Sequence, residues 1–167
     1  KIEQKAAAKK PRQDHDEPPG GAPPAKPEPE PRVSTTDTEA RVMKMADGGF
    51  RPAFNAQLAV DAATQLIAAV EVVNVGSDMN EMVPMHAQIK ERYHHTPGHW
   101  LADGGFTKLQ AIEQLAQQGT HPLLPPPKSR NADIDSLAPK STDSEHLAQW
   151  RARMASPEGQ ALYKQRG

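Results

Sequence analysis

The chain has no cysteine, few aromatic residues, no long apolar run and no excess of one charge, and each lack removes a class of protein. Without cysteine there is neither a disulfide framework nor a thiolate metal site, which fits a reducing compartment. Aromatic residues make up 4% of the chain, as two Trp, two Tyr and three Phe, so any core is modest and largely aliphatic. No apolar stretch approaches the roughly 20 residues that span a bilayer. Lys1–Lys10 lacks the apolar centre of a signal peptide, and no membrane partner is expected. Twenty Lys and Arg against 21 Asp and Glu leave a net charge of -1. Nucleic-acid binding would therefore need a local basic patch or a region outside this chain. The chain opens on Lys1 rather than Met, and is expected to be a piece of something longer.

What the chain does have is proline, 17 in all, concentrated near one end. Lys1–Lys10 is an Ala/Lys/Glu stretch of good helix propensity that Pro11 stops. From Pro11 to Arg32 nearly every residue is Pro, Gly or charged, ending in Pro27-Glu-Pro-Glu-Pro31. Such a segment buries too little apolar surface to offset its ordering entropy, which predicts a disordered or stiffly extended tether. A polyproline ligand for a partner is the alternative. The expected organisation is a helical and Pro-rich disordered segment over 1–32, a globular core over 33–128, and a polar loop with terminal helices over 129–167.

Within the globular part, Ser34–Asp37 reads as a cap-rich turn and Glu39–Met45 as a short helix or irregular edge, broken by Gly48-Gly49 and Pro52. Phe54–Val60 alternates, as a strand with one wetter face does. Leu66–Val73 is almost wholly apolar, which predicts a central strand buried on both faces. Asp61–Thr64 lies between them as a turn, so the two runs pair as an antiparallel hairpin. Asp78 or Asn80 is expected to cap a helix whose core face is Met82, Met85, Ile89 and Tyr93. Trp100–Ala102 reads as a short buried strand ending at Asp103. Leu109, Ile112 and Leu115 mark a second helix closed by Gly119, and His121–Leu124 a last strand before Pro125-Pro-Pro127. Leu147, Trp150 and Met154 share one side of a further helix. Ser156-Pro157 begins another that carries Tyr163 and Arg166 on one face. The order of elements implies an α/β fold, a mixed sheet covered by helices.

Ala-Asp-Gly-Gly-Phe occurs twice, at Ala46–Phe50 and Ala102–Phe106. Only the second copy follows a strand-like run and opens a helix, the position at which open α/β sheets place their sites. A carboxylate at such a strand end can hold a divalent metal; the same residue also reads as a simple helix N-cap above a glycine turn. A histidine metal site from His94, His95 and His99 is disfavoured, because Pro97-Gly98 interrupts any helix that would present them together.

Taken in order, Ser34-Thr-Thr-Asp-Thr-Glu-Ala-Arg-Val-Met-Lys44, Phe54-Asn-Ala-Gln-Leu-Ala-Val-Asp61, Asn74-Val-Gly-Ser-Asp78, Leu101-Ala-Asp-Gly-Gly-Phe106 and Tyr163-Lys-Gln-Arg166 resemble the DDE transposases of bacterial insertion sequences. The resemblance implies an RNase H-like fold in which three acidic residues bind two divalent metals, magnesium being expected, that activate water and then a DNA 3′-hydroxyl. It makes Asp103 the second acid, catalytic and metal-ligating. The tail looks like the family's Tyr-x-x-Arg-x-x-x-Glu signature, which puts the Glu three residues past Gly167. The first Asp belongs on a strand upstream of Ser34, and nothing in Lys1–Arg32 resembles that strand; Asp37 belongs to a later segment. With one acid of three, the chain is expected to be a transposase fragment with an incomplete RNase H-like sheet, inactive alone and open to self-association at an unpaired edge. Tyr163 and Arg166 are expected to orient the terminal helix and contact DNA phosphate, with Lys128 and Arg130 adding backbone contacts. The expected partner is DNA, in a bacterial, nucleoid-associated, cytoplasmic setting. The rival reading is a non-catalytic α/β binding module on a Pro-rich tether, in which Asp103 only caps a helix.

Overall fold

A computed structural model describes residues 34–127, 129 and 135–166. The expectations for Lys1–Arg32, and for Lys128 and Arg130, lie outside the described residues.

Apolar side chains at helical spacing build the core. Four helices, α1 (Met82–Tyr93), α2 (Leu109–Gln117), α3 (Glu145–Ala155) and α4 (Pro157–Tyr163), accompany two short strands, β5 (His99–Leu101) and β6 (His121–Leu123). Met82, Ile112, Leu115, Leu123, Leu124 and Trp150 are essentially without solvent contact, and Leu147 and Met154 close the same cluster. Each such aliphatic side chain contributes about 1.5–3 kcal/mol by leaving water, and this cluster ties three helices to the strand pair. β5 and β6 run parallel, Leu101 opposite Leu123, with α2 as the crossover between them. Gly119, at φ +85°, turns the chain out of α2 as its sequence position predicts. Ser156 caps α4 through its hydroxyl, which accepts from Gly159 N at 3.0 Å, with Pro157 in the first turn.

Two antiparallel hairpins precede this core. Strands β1 (Arg41–Lys44) and β2 (Phe50–Ala53) pair around a turn in which Gly48 takes φ +82°. Within Glu39–Met45, then, Arg41–Lys44 is an edge strand rather than a short helix, and Pro52 sits within β2 opposite Val42. A two-stranded ladder leaves edge positions where proline's missing N–H costs nothing. Strands β3 (Asn55–Val60) and β4 (Ile67–Val73) form the expected second hairpin. The Asp61 carboxylate organises its turn by accepting from Ala63 N and from both the N–H and hydroxyl of Thr64. Those bonds, the Thr64 N–H first, hold its pKa below the usual 3.8.

β4 departs from its expected double burial: Ile67, Val70 and Val72 are exposed, while Ala69 is wholly buried. A run of apolar residues reports preference and not the presence of a covering layer. The start of α1 also differs. Ser77 caps a 3₁₀ turn at Asp78–Asn80, Glu81 leads into the helix without a side-chain cap, and neither Asp78 nor Asn80 serves as the helix cap. Asp78 is held elsewhere. Of the α1 stripe, Met82 and Met85 are buried and Ile89 half-buried. Tyr93 is exposed, with its hydroxyl donating to Ala68 O at 3.0 Å. The fold is mixed α/β as expected, its strands divided among three two-stranded ladders.

Candidate active site

Asp103 stands where the chain leaves β5. Ala102 is buried, and its N–H donates to Leu123 O at 3.3 Å, so the backbone is anchored up to the residue before the carboxylate. Asp103 itself is extended, at φ −84° and ψ −178°, and opens a 3₁₀ turn over Gly104–Phe106. Its Oδ1 accepts from Gly105 N at 2.8 Å. On the far side of that turn the Thr107 hydroxyl donates to Pro125 O at 2.9 Å. The acidic side chain is thus half exposed on a loop tied down at both ends.

The other carboxylate oxygen faces the last helical turn. Arg166 Nη1 lies 3.7 Å from Asp103 Oδ2, with both side chains about half exposed. The Arg166 guanidinium also rests 5.5 Å from the centre of the Tyr163 ring, so the two residues share a face as their spacing predicts. An exposed pair at this distance stabilises little, at most about 1 kcal/mol. Its value is geometric, because it brings two sequence motifs more than sixty residues apart to one place. The two Ala-Asp-Gly-Gly-Phe copies separate as expected: Asp47 accepts from Gly49 N on the β1–β2 turn and pairs with Arg51, four residues on.

A second carboxylate belongs to the cluster and was not identified from sequence. Asn55 Nδ2 and Gln57 Nε2, on the packed face of β3, each donate to Asp78 Oδ1 at 2.7 Å. Asp78 Oδ2 is left directed at Gly105. A Cβ on Gly105 would sit 3.0 Å from Asp103 Oδ1 and 3.3 Å from Asp78 Oδ2, so the two oxygens approach within the sum of those distances. A side chain at 105 would thus fit tightly against both carboxylates, and the backbone there has no positive φ. The sequence showed Asn55 and Gln57 alternating with apolar residues and so put them on the wetter face of β3, whereas the structure packs them inward because Asp78 accepts from both amides; nothing local tied them to Asp78.

Behind the site, Trp100 of β5 packs edge-on to His86 of α1, with ring centres 5.6 Å apart at 66°. The Thr120 hydroxyl donates to Pro97 O at 2.8 Å, and His86 Nε2 lies 2.7 Å from the same hydroxyl. A hydroxyl has one proton to give, so His86 Nε2 is the donor. Burial first, and the Lys90 charge second, push the His86 pKa below 6.5, which favours the neutral ring. His99 meets His121 across the parallel pair, ring centres 5.8 Å apart. The oxygen donors of Asp103 and Asp78 suit a hard divalent cation in kind. Among the described residues, however, no three His, Cys, Asp or Glu side chains stand together to hold one, so these residues do not complete a two-cation centre.

Fold and cluster together give an α/β domain with two carboxylates, Asp103 and Asp78, meeting one turn at the carboxyl end of a strand. Residues 25–166 match the family described as the transposase DDE domain, and the chain belongs to that family. Proteins of this family act on DNA in transposition and generally use divalent metal. No curated protein and no solved structure matches the chain. No helix among the described residues is long and apolar enough to cross a membrane.

Proposed function

We propose that this chain carries the Asp103-bearing part of a bacterial insertion-sequence transposase, with the RNase H-like core over 33–128 and the terminal segment over 129–167. In this reading Asp103 would be one carboxylate ligand of a divalent cation, magnesium by expectation, which when bound would supply the activation of a nucleophilic oxygen for phosphoryl transfer on DNA. The remaining acids of the family set have no match here, so the chain is inactive by itself. Tyr163 and Arg166 orient the terminal helix and offer a guanidinium fork to DNA phosphate. Lys128 and Arg130 add backbone contacts. The setting is cytoplasmic, on chromosomal or element DNA.

One observation carries the reading: Asp103 stands at the strand end with an oxygen turned to Arg166, so the two halves of the motif set converge. A binding module in which Asp103 only caps a turn accounts for the bond to Gly105 N. It gives no reason for Asp78 and Arg166 to meet the same turn.

Manganese titration of the isotope-labelled chain tests this. Paramagnetic broadening should centre on the Gly104–Thr107 amides and vanish in Asp103→Asn. Broadening unchanged by that substitution would remove Asp103 from the site. Supercoiled plasmid with magnesium should stay intact; nicking that depends on Asp103 would overturn the claim of inactivity.

A further inference from the structure

Asp78 heads the 3₁₀ turn Asp78–Asn80, yet it caps no helix and forms no ion pair among the described residues. Instead, one of its oxygens takes two short bonds. Asn55 Nδ2 and Gln57 Nε2 both donate to Oδ1 at 2.7 Å, and Gln57 is buried to do so. Asn55 Nδ2 spends its second hydrogen on Val75 O at 3.3 Å, in the loop that leads to the same turn. Hydrogen bonds to a carboxylate are short and strong, so β3 fixes both the place of Asp78 and the direction of its side chain.

What this clamp aims is the other oxygen. A Cβ added at Gly105 would lie 3.3 Å from Asp78 Oδ2, 3.9 Å from Asp78 Cβ and 3.0 Å from Asp103 Oδ1. The two carboxylates therefore flank one small space beside Gly105, and any swing of Asp103 into it meets a like charge at short range. Left free, Asp78 would be turned aside by the same repulsion; the two amides prevent this. A second tie joins the two turns, with Lys108 Nζ donating to Asn80 Oδ1 at 2.8 Å. We propose that Asp78, clamped by Asn55 and Gln57, is a positioning residue: it confines the Asp103 carboxylate to the direction in which its outer oxygen is offered to a cation. The use of that direction rests on the reading of Asp103 as a cation ligand; the confinement does not.

Three-bond couplings across the Asp103 side chain read the confinement in the metal-free, isotope-labelled whole chain. The wild type should show a single rotamer. Asn55→Leu with Gln57→Leu removes the clamp and keeps the Asp78 charge. The Asp103 couplings should then average, and exchange of the Gly105 amide hydrogen should quicken about tenfold. Asn55→Ala, a milder change, should move both in the same direction if the double variant does not fold. Exchange at Leu115, in the core, should stay as it was, which separates positioning from general loosening. Manganese binding should weaken about tenfold in the clamp variant and disappear in Asp103→Asn. Averaged couplings in the wild type, or a single rotamer that persists without the clamp, overturn the proposal. So does manganese affinity that falls in Asp103→Asn but not in the clamp variant. If the wild type binds no manganese the cation reading fails, and couplings that average only when the clamp is removed still support the positioning.

Discussion

Replacing Arg151 with methionine should cost more stability than any other single charge removal in the helical core. Its side chain and that of Asp143 are 3% and 4% exposed, with Nε donating to Asp143 Oδ2 at 2.7 Å. A second bond runs to Ser136 O, and the guanidinium lies 5.2 Å from the Trp150 ring centre. Methionine fills much of the volume but leaves the carboxylate with one backbone donor, Lys140 N at 2.9 Å. Stranding one member of a buried pair costs about 3–5 kcal/mol. Small domains have about 5–15 kcal/mol in all, so Arg151→Met should sit near the edge of folding. Urea denaturation followed by Trp fluorescence reads this directly, since Trp150 is buried beside the pair. Arg151→Met with Asp143→Leu should recover most of the loss, because no charge is then left unpaired. Acidity gives an independent check. Burial raises the Asp143 pKa, but the bonds from Lys140 N and Arg151, with their charges, outweigh it and hold the group below 3.8. Its contribution is therefore intact above about pH 4 and disappears as pH falls through the lowered value. A single-variant loss under about 1 kcal/mol, the scale of an exposed pair, would refute the reasoning. A double variant no better than the single one would do the same.

Gly159→Ala normally strengthens a helix by about 1 kcal/mol, but here the sign should reverse. A Cβ at this buried position would overlap the Arg153 carbonyl oxygen at the α3–α4 corner, and overpacking costs about 1–3 kcal/mol, seen as a lowered melting temperature. His86 should make stability depend on pH near neutrality. Its folded pKa lies below the unfolded 6.5, so the unfolded chain takes up the proton first and stability falls as pH drops below that value. The slope of urea midpoint against pH between 7 and 5 should flatten in His86→Phe; an unchanged slope would assign it to another group.

Elements whose evidence is local were legible in the sequence. Leu109, Ile112 and Leu115 defined α2, and Ser156-Pro157 fixed the start of α4, because periodicity and caps are written within a few residues. The hairpin of β3 and β4 was legible for the same reason. Burial was not: Leu66–Val73 looks like a central strand, yet half its side chains face water, since a run of valines cannot state whether a second layer exists. Arg151, next to Trp150 on α3, is a charged residue in the core because Asp143 reaches it from the preceding loop. Asp78 looked like a helix cap and instead lies under two amides from β3, more than twenty residues away. Contacts of that kind arise from chain crossing and leave no local pattern.

The repeated Ala-Asp-Gly-Gly-Phe motif shows how little of a site resides in its own residues. Both aspartates accept a hydrogen bond from the second glycine's N–H, at 2.9 Å for Asp47 and 2.8 Å for Asp103, although Gly48 takes φ +82° in a hairpin turn and Gly104–Phe106 forms a 3₁₀ turn. What differs is the support. The strand before Asp47 has one buried residue, Met43, and an exposed arginine four positions on answers the carboxylate. Asp103 follows Ala102, which is buried and bonded to β6, and beneath it Trp100 bears on His86 and the parallel pair on α2. That support, with the Gly105 N–H on its inner oxygen, holds a half-exposed carboxylate in one direction, so groups as distant in sequence as Asp78 and Arg166 meet the same turn. A half-exposed carboxylate whose outer oxygen is held only by a long, solvent-exposed contact to Arg166 can be shared with a cation at little ordering cost, because its surroundings are already fixed.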